Sequence, residues 1–274
     1  MAVYTEIDSD TLAEFAAQYP LSQIDEFKGI TAGVQNSNFL LTTMDAKYIL
    51  TIYESSANGV AAADLPFFLG LMLHLSAQGL SCPVPLARKD GGLISTIKKK
   101  PAALVSFLEG RSVKTPRPEH CRALGAAMAR MHLAGDGFEL TRPNNHGLGN
   151  WQALFERCHS RADEVSPDLT RAMEGELTRL KENWPDNLPT GIIHADLFPD
   201  NVFFSQGDMS GLIDFYFACN DFYAYDPAIA LNAWCFEADA TFNVTKARAL
   251  LSGYQNLRPL APEEIDAVPI LGAG

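Results

Sequence analysis

One stretch, residues 191 to 215, constrains the fold of this chain more than any other. It reads Gly191-Ile192-Ile193-His194-Ala195-Asp196-Leu197-Phe198-Pro199-Asp200-Asn201-Val202-Phe203-Phe204, and then, after a short polar gap, Ser210-Gly211-Leu212-Ile213-Asp214-Phe215. An apolar run enters a polar loop, and a second apolar run leaves it. Gly207-Asp208 offers a hairpin turn, and a third run ends on a carboxylate. Pairing 202–204 with 211–213 is expected to draw Asn201 and Asp214 together. Asp196, five residues before Asn201, borders the same loop. Two carboxylates and one amide are therefore expected at one mouth.

The rest of the chain divides around this segment. Ser9 and Asp10 precede Leu12, Phe15 and Ala16, a helical face that Pro20 ends. From Ile24 to Tyr53 the pattern reads as three antiparallel strands, punctuated by Gly29, Gly33 and Met44-Asp45-Ala46. Asp64 and Pro66 open a helix to about Gly79, since proline is tolerated in a first turn. Short strands are expected near 93–97 and 102–107. Beyond Gly110 the chain turns mainly helical, with helices read from Pro118, over 151–162, 169–184, 226–237 and 244–257, and a last one from Pro262. The expected class is α+β and bilobal. Residues 1–105 form a small antiparallel N-lobe with one long helix, 106–110 a hinge, and 111–274 a helical C-lobe carrying the polar loop.

Such a set of polar groups suits phosphoryl transfer from ATP. Mg²⁺ takes oxygen ligands and combines few protein carboxylates with phosphate oxygens. Asn201 and Asp214 can supply one carbonyl oxygen and one carboxylate. A separate carboxylate, Asp196, can take the proton of an attacking hydroxyl. A polar loop whose Asp and Asn only cap turns is the competing reading. Composition narrows the partners. The chain has 274 residues, 47% hydrophobic and 20% charged, with a formal net charge of −12. That balance repels a nucleic-acid backbone but not a metal-screened nucleotide. Five cysteines, odd in number and without a CxxC spacing, point to a reducing compartment rather than to disulfides or zinc. The first residues lack a leader-like pattern, and the apolar stretch around 65–75 is too short to span a bilayer. A cytoplasmic protein without membrane or nucleic-acid partners is expected.

His194-x-Asp196-x4-Asn201 followed by Ile213-Asp214-Phe215 resembles the signature of the aminoglycoside phosphotransferase and choline kinase superfamily. The thirteen-residue step from Asn201 to Asp214 fits it too. The resemblance implies a protein-kinase-like fold, ATP and Mg²⁺ as cofactors, Asp196 as catalytic base, and Asn201 and Asp214 on the metal. His194 and Asp226 would support the catalytic loop, Asp226 through backbone hydrogen bonds; a plain helix N-cap is a compatible reading of Asp226. Ala103-Leu104-Val105-Ser106-Phe107-Leu108-Glu109-Gly110 resembles the family hinge, where backbone near Ser106 and Leu108 meets adenine. The turn from Gly33 to Asn38 can cover phosphates through backbone N–H groups and the Ser37 and Asn38 side chains. One departure stands out. Thr51 occupies the place on strand three where family members often carry Lys or Arg. Lys47 lies four residues back on that strand, roughly 13 Å away at the usual rise.

Over most of its length the chain is similar to one branch, the homoserine kinases of the choline-kinase-like type. The resemblance includes the hinge and Gly79-Leu80-Ser81-Cys82-Pro83-Val84-Pro85, and also Ala230-Leu231-Asn232-Ala233-Trp234-Cys235-Phe236. It implies transfer of the ATP γ-phosphate to the L-homoserine side-chain hydroxyl, a step towards threonine. Family members continue past the position of Gly274. A small zwitterion needs an acid for its ammonium and donors for its carboxylate, and Tyr216, Asp221, Tyr223, Asn232, Trp234 and Glu237 follow the metal Asp as candidates. Each has a plainer role open to it: core for Trp234, a solvated helix face for Glu237. His132 reads as a packed histidine. Kinases of choline, aminoglycosides or methylthioribose, and a non-catalytic pseudokinase, remain the alternatives on residues alone.

Overall fold

The computed structural model describes residues 4–31, 36–54 and 60–274. The chain forms two compact units, Met1–Arg111 with Phe203–Tyr216, and Ser112–Val202 with Phe217–Gly274.

The first unit opens with α1 (Ser9–Ala16), started by the Asp8 side chain accepting from the Thr11 N–H. Strands β1 (Ile24–Gly29), β2 (Ser37–Thr43) and β3 (Lys47–Ile52) follow, then helix α2 (Leu65–Ala77), then β4 (Ser95–Ile97) and β5 (Lys100–Ser106). The strands make one antiparallel sheet in the order β1-β2-β3-β5-β4. Burial in β2 alternates strictly, with Phe39 and Leu41 inside, as a half-buried strand requires. Those two pack with Leu50, Ile52 and Leu104 against Phe15 of α1 and Tyr19 just beyond it. The opposite sheet face carries Asn38 and Thr51, direct register partners. Helix α2 is apolar nearly all round and buries Leu65, Phe67, Phe68, Leu69, Leu71, Met72 and Leu75, as an internal helix must.

The second unit contains α3 (Pro118–Ala134), α4 (Leu148–Cys158), α5 (Leu169–Asn183) and β6 (Thr190–Ile193). After the hairpin strands β7 (Val202–Ser205) and β8 (Asp208–Leu212) come β9 (Cys219–Phe222), α6 (Tyr225–Trp234), α7 (Val244–Gln255) and α8 (Pro262–Leu271). Strands β6 and β9 pair antiparallel, Ile193 against Cys219. Helices α3 and α7 cross in backbone contact. A Cβ on Gly125 would collide with the Leu250 carbonyl, and one on Gly253 with the Arg122 carbonyl. Only glycine allows that approach.

Three expectations shift. The β7–β8 turn is Gln206-Gly207, both at positive φ (51° and 96°), so β8 begins at Asp208 rather than 211. That conformation is the one a two-residue turn between twisted strands needs. The helix read from Trp151 starts at Leu148, and the one read to 237 stops at Trp234. Strand β9 was not distinguishable in the sequence, because Cys-Asn-Asp-Phe carries no β-branched residue. Its ladder with β6 makes it a strand. Among the described residues no helix is long and apolar enough to cross a membrane.

Candidate active site

The loop after β6 is pinned from several sides within the second unit. Asp226, 1% exposed, accepts from the His194 N–H (2.8 Å) and the Ala195 N–H (2.7 Å). Ala195 is held at φ 61°, a left-handed conformation that costs about a kcal/mol or more and persists only when surroundings impose it. The Leu197 carbonyl accepts from the Trp234 indole N–H at 2.6 Å. At the loop's far end the Asn201 amide nitrogen donates to both the Asp196 carbonyl and its carboxylate, each at 2.8 Å. Both Asn201 N–H groups thus point at Asp196, which leaves the amide oxygen Oδ1 as the face turned towards any cation. An oxygen ligand of that kind fits a hard divalent metal.

A buried relay stands behind Asp226. His132 on α3 meets Asp226 through Nε2 (2.9 Å) and the Tyr254 hydroxyl through Nδ1 (2.7 Å). Arg258 donates to Tyr254 (3.1 Å) and to Glu264 (2.9 Å). Proton counting orders the chain. Tyr254 accepts from Arg258, so its own proton goes to His132 Nδ1, and His132 Nε2–H donates to Asp226. Burial pushes the Asp226 carboxyl up, but the hydrogen bonds from His132 and from the His194 N–H outweigh it and hold it below the usual value. His132, read as packing, is therefore part of the loop's support. No local signal marks it, because its partner lies 94 residues away.

In the first unit, the Thr51 hydroxyl donates to Asn38 Oδ1 at 2.8 Å and is itself only 4% exposed. The Ser37 hydroxyl is fully buried. It accepts from the Tyr4 and Thr5 N–H groups and donates to Glu54. Lys100 pairs with Glu54 in the same cluster. Ser37 therefore does not offer its side chain to phosphate; it ties strand ends together. The rest of that turn, 33–35, lies outside the described residues. Lys47 pairs with Glu109 at 3.2 Å, both exposed, a geometry worth little. At the expected hinge, the Ser106 N–H is spent on the Val84 carbonyl, its hydroxyl accepts from the Val84 N–H, and the Phe107 N–H goes to Lys47. Any adenine edge is left to the Ser106 carbonyl and the Leu108 backbone.

Asp214 follows β8 and sits at φ 64°, a second strained non-glycine residue at a proposed functional position. Two residues on, Tyr216 turns into the first unit. Its hydroxyl bonds Tyr53 at 2.8 Å and its ring meets Phe68 edge-on. Burial pushes the Tyr216 phenol up to about 12.

Most proposed substrate residues are engaged elsewhere. Tyr216 packs among Tyr53 and Phe68 as described. Trp234 is 1% exposed and braces the loop. Asn232 donates to the Gly272 carbonyl at 2.6 Å and anchors the end of α8. Glu237 pairs with Lys246 at 2.8 Å and accepts from Asn243. Tyr223 lies beneath the Arg258 guanidinium, 4.3 Å from ring centre, and beside His132. Asp221 accepts from the Asn144 amide and the Phe222 N–H. The sequence order that suggested them is real, but each of these polar groups has a partner within the fold. Among the described residues no cluster of three or more His, Cys, Asp or Glu is arranged to hold a metal.

A five-stranded antiparallel sheet with one internal helix, joined to a helical unit whose strand-borne loop is anchored by a buried aspartate, defines the kinase-like phosphotransferases. Solved structures agree on the fold. An amicoumacin kinase in complex with AMP-PNP and Ca²⁺ superposes with a TM-score of 0.73 at 18% identity, covering 97% of this chain and 82% of that one. A choline kinase from Cryptosporidium parvum Iowa II gives 0.67 at 14% identity, covering 97% and 86%. Residues 26–260 match the model of the phosphotransferase enzyme family, and the chain belongs to that family. Among its relatives, a homoserine kinase from Rhizobium etli (strain CIAT 652) is 56% identical over all 274 residues, which cover 84% of that protein. A homoserine kinase from Rhizobium meliloti (strain 1021) is 55% identical, with 83% of it covered.

Proposed function

We propose that this chain transfers the γ-phosphoryl group of ATP to the side-chain hydroxyl of L-homoserine, forming O-phospho-L-homoserine, with Mg²⁺ as the metal. The observation that carries the acceptor is the 56% identity to a homoserine kinase across the whole chain. Similarity to aminoglycoside, macrolide and choline kinases is limited to 12–18% identity, which speaks to fold alone. The reading makes the protein a cytoplasmic enzyme of threonine formation with a small amino acid as its partner.

In this reading Asp196 receives the hydroxyl proton as the substrate oxygen forms its bond to the γ-phosphorus. The bridging bond from the γ-phosphorus breaks and ADP leaves with the electron pair. Asn201 orients Asp196 through the two bonds described above, so the carboxylate arrives preorganised. The Asn201 amide oxygen and the Asp214 carboxylate would hold Mg²⁺, which when bound screens the phosphate oxygens and steadies the charge that develops on them. Thr51 and Asn38 line the nucleotide side, and the Leu108 backbone meets adenine. His194 and Asp226 keep the loop in shape.

An ADP-release assay against homoserine, serine, threonine, choline and kanamycin tests the acceptor. Preference for homoserine is expected, and its absence would discard homoserine while leaving the family in place. In the same assay Asp196→Asn should lower kcat by roughly 10²–10⁴, the usual size of a lost general base, with nucleotide affinity nearly intact. An unchanged rate would remove Asp196 from the mechanism.

A further inference from the structure

Arg258, in the connection between α7 and α8, is a buried cation that the proposed reaction leaves unused. Its side chain is 13% exposed, and that of its partner Glu264 is 1% exposed. Arg258 Nη1 donates to Glu264 Oε1 at 2.9 Å and to the Tyr254 hydroxyl at 3.1 Å. The second Glu264 oxygen accepts from the Ala261 N–H at 2.9 Å, so one carboxylate ties the entry of α8 to the guanidinium. Packed apolar residues of similar volume often serve stability as well as a buried ion pair does. Two routes lead from Arg258 to the loop after β6, both within the second unit. The polar one runs through Tyr254, His132 and Asp226 to the His194 and Ala195 N–H groups. The steric one runs through Tyr223. The guanidinium lies over that ring, and the Tyr223 hydroxyl fills the space a Cβ on Gly191 of β6 would take. The same ring flanks His132 at 4.9 Å between centres.

The charge of Arg258 sets the direction of the polar route. A guanidinium only donates, and a carboxylate only accepts. One lone pair of the Tyr254 oxygen is therefore taken, and His132 Nε2 carries a proton towards Asp226. The contact between Tyr254 and Nδ1 has two forms: Tyr254 gives its proton to a bare Nδ1, or it accepts a second proton from an imidazolium. Arg258 favours the first. A donor on the phenol oxygen polarises its O–H and strengthens the bond it gives, and a second cation one hydroxyl away is repelled at short range. The difference matters at Asp226. Its Oδ2 is shared between His132 Nε2 and the His194 N–H. An imidazolium would draw that oxygen into an ion pair, in competition with the backbone of the loop.

We propose that Arg258, held by Glu264, is a positioning residue for the phosphoryl transfer: by donating to Tyr254 it keeps His132 Nδ1 bare and its Nε2–H on Asp226, and so holds the loop in the shape that presents Asp196. The α7–α8 connection thereby bears on the reaction without touching either substrate. This rests on the reading of the loop from His194 to Asn201 as catalytic.

The test joins imidazole nitrogen NMR to steady-state kinetics at pH 7, on the unaltered chain, Arg258→Met, Tyr254→Phe and the double variant. His132 signals are assigned by their absence from His132→Gln. In the unaltered chain Nε2 should be protonated and Nδ1 not. Arg258→Met should move the Nδ1 resonance towards its protonated position and lower kcat about tenfold, roughly the loss of one charge-assisted hydrogen bond, with KM for ATP and for homoserine nearly unchanged. Tyr254→Phe keeps the ring and removes only the hydroxyl, and should lower kcat by a similar factor. The double variant should be no worse than the poorer single one, because Arg258 acts through Tyr254. A protonated Nδ1 in the unaltered chain overturns the inference, as does wild-type kcat in Tyr254→Phe or in Arg258→Met. Loss confined to melting temperature assigns the ion pair to packing and overturns it too, and additive losses in kcat overturn the route through Tyr254. Should Arg258→Met fail to fold, the Nδ1 state of the unaltered chain and the kcat of Tyr254→Phe decide. Each of these outcomes leaves the catalytic reading of the loop standing. Failure of the unaltered chain to turn over ATP overturns that reading, and the positioning role with it.

Discussion

At the scale of single residues, the support of the loop after β6 hangs on one carboxylate. Asp226 satisfies two loop N–H groups and one imidazole while almost fully buried. Asp226→Asn keeps the shape but replaces an acceptor with a donor facing other donors. Removing one side of such a buried, hydrogen-bonded pair costs about 3–5 kcal/mol, readable by urea unfolding at pH 7. The same group sets a pH window. Its folded pKa is depressed, so its contribution is present above the unfolded value of about 4 and lost as pH falls through the lower folded value. Unfolding measured between pH 5 and pH 2 should show the wild type losing this increment while Asp226→Asn loses correspondingly less. Parallel curves for the two proteins would exclude Asp226 as the source. The acid window is legible only in the structure. From the sequence Asp226 could equally have been a helix N-cap, and nothing in the apolar helix around His132 announces a partner.

At the scale of elements, the α3–α7 crossing decides where that relay sits. His132 and Tyr254 come from these two helices, and they meet because Gly125 and Gly253 let the backbones touch. Gly125→Ala should improve intrinsic helix propensity by about 0.5–1 kcal/mol, yet its methyl group has a carbonyl in its place. Overpacking costs about 1–3 kcal/mol or more, so net destabilisation is expected, with reduced kcat following the displaced His132. A melting temperature at or above wild type would show that the helices part without loss. The β7–β8 hairpin offers the opposite lesson. Its existence and approximate register were readable from apolar runs and turn residues. The turn itself slid by one residue because Gln206 accepts a positive φ that a composition-based reading assigns to glycine alone.

At the scale of the whole molecule, nucleotide binding should appear as stability. A ligand that binds only the folded chain stabilises it by about 2.7 kcal/mol at a hundred times its Kd, a rise of several degrees in Tm for a protein of this size. That rise with ATP should require a divalent cation in the unaltered chain and be lost in Asp214→Ala, measured by thermal shift. An undiminished metal-dependent shift in that variant would remove Asp214 as a ligand. The residues from Gly191 to Phe215 pointed to the proposed chemistry by themselves, because strand, loop and turn are local patterns and Asp196, Asn201 and Asp214 lie within one such pattern. The sheet, the internal helix and the helical unit were likewise legible in apolar periodicity. Which polar groups remain for a ligand was decided only by the tertiary structure. Ser37, Asn232 and Trp234 are spent on partners distant in sequence, and Glu237 is spent on Asn243 and Lys246. A hydrogen-bonding group looks the same in a sequence whether it faces solvent, substrate or another buried group. Only packing assigns its partner.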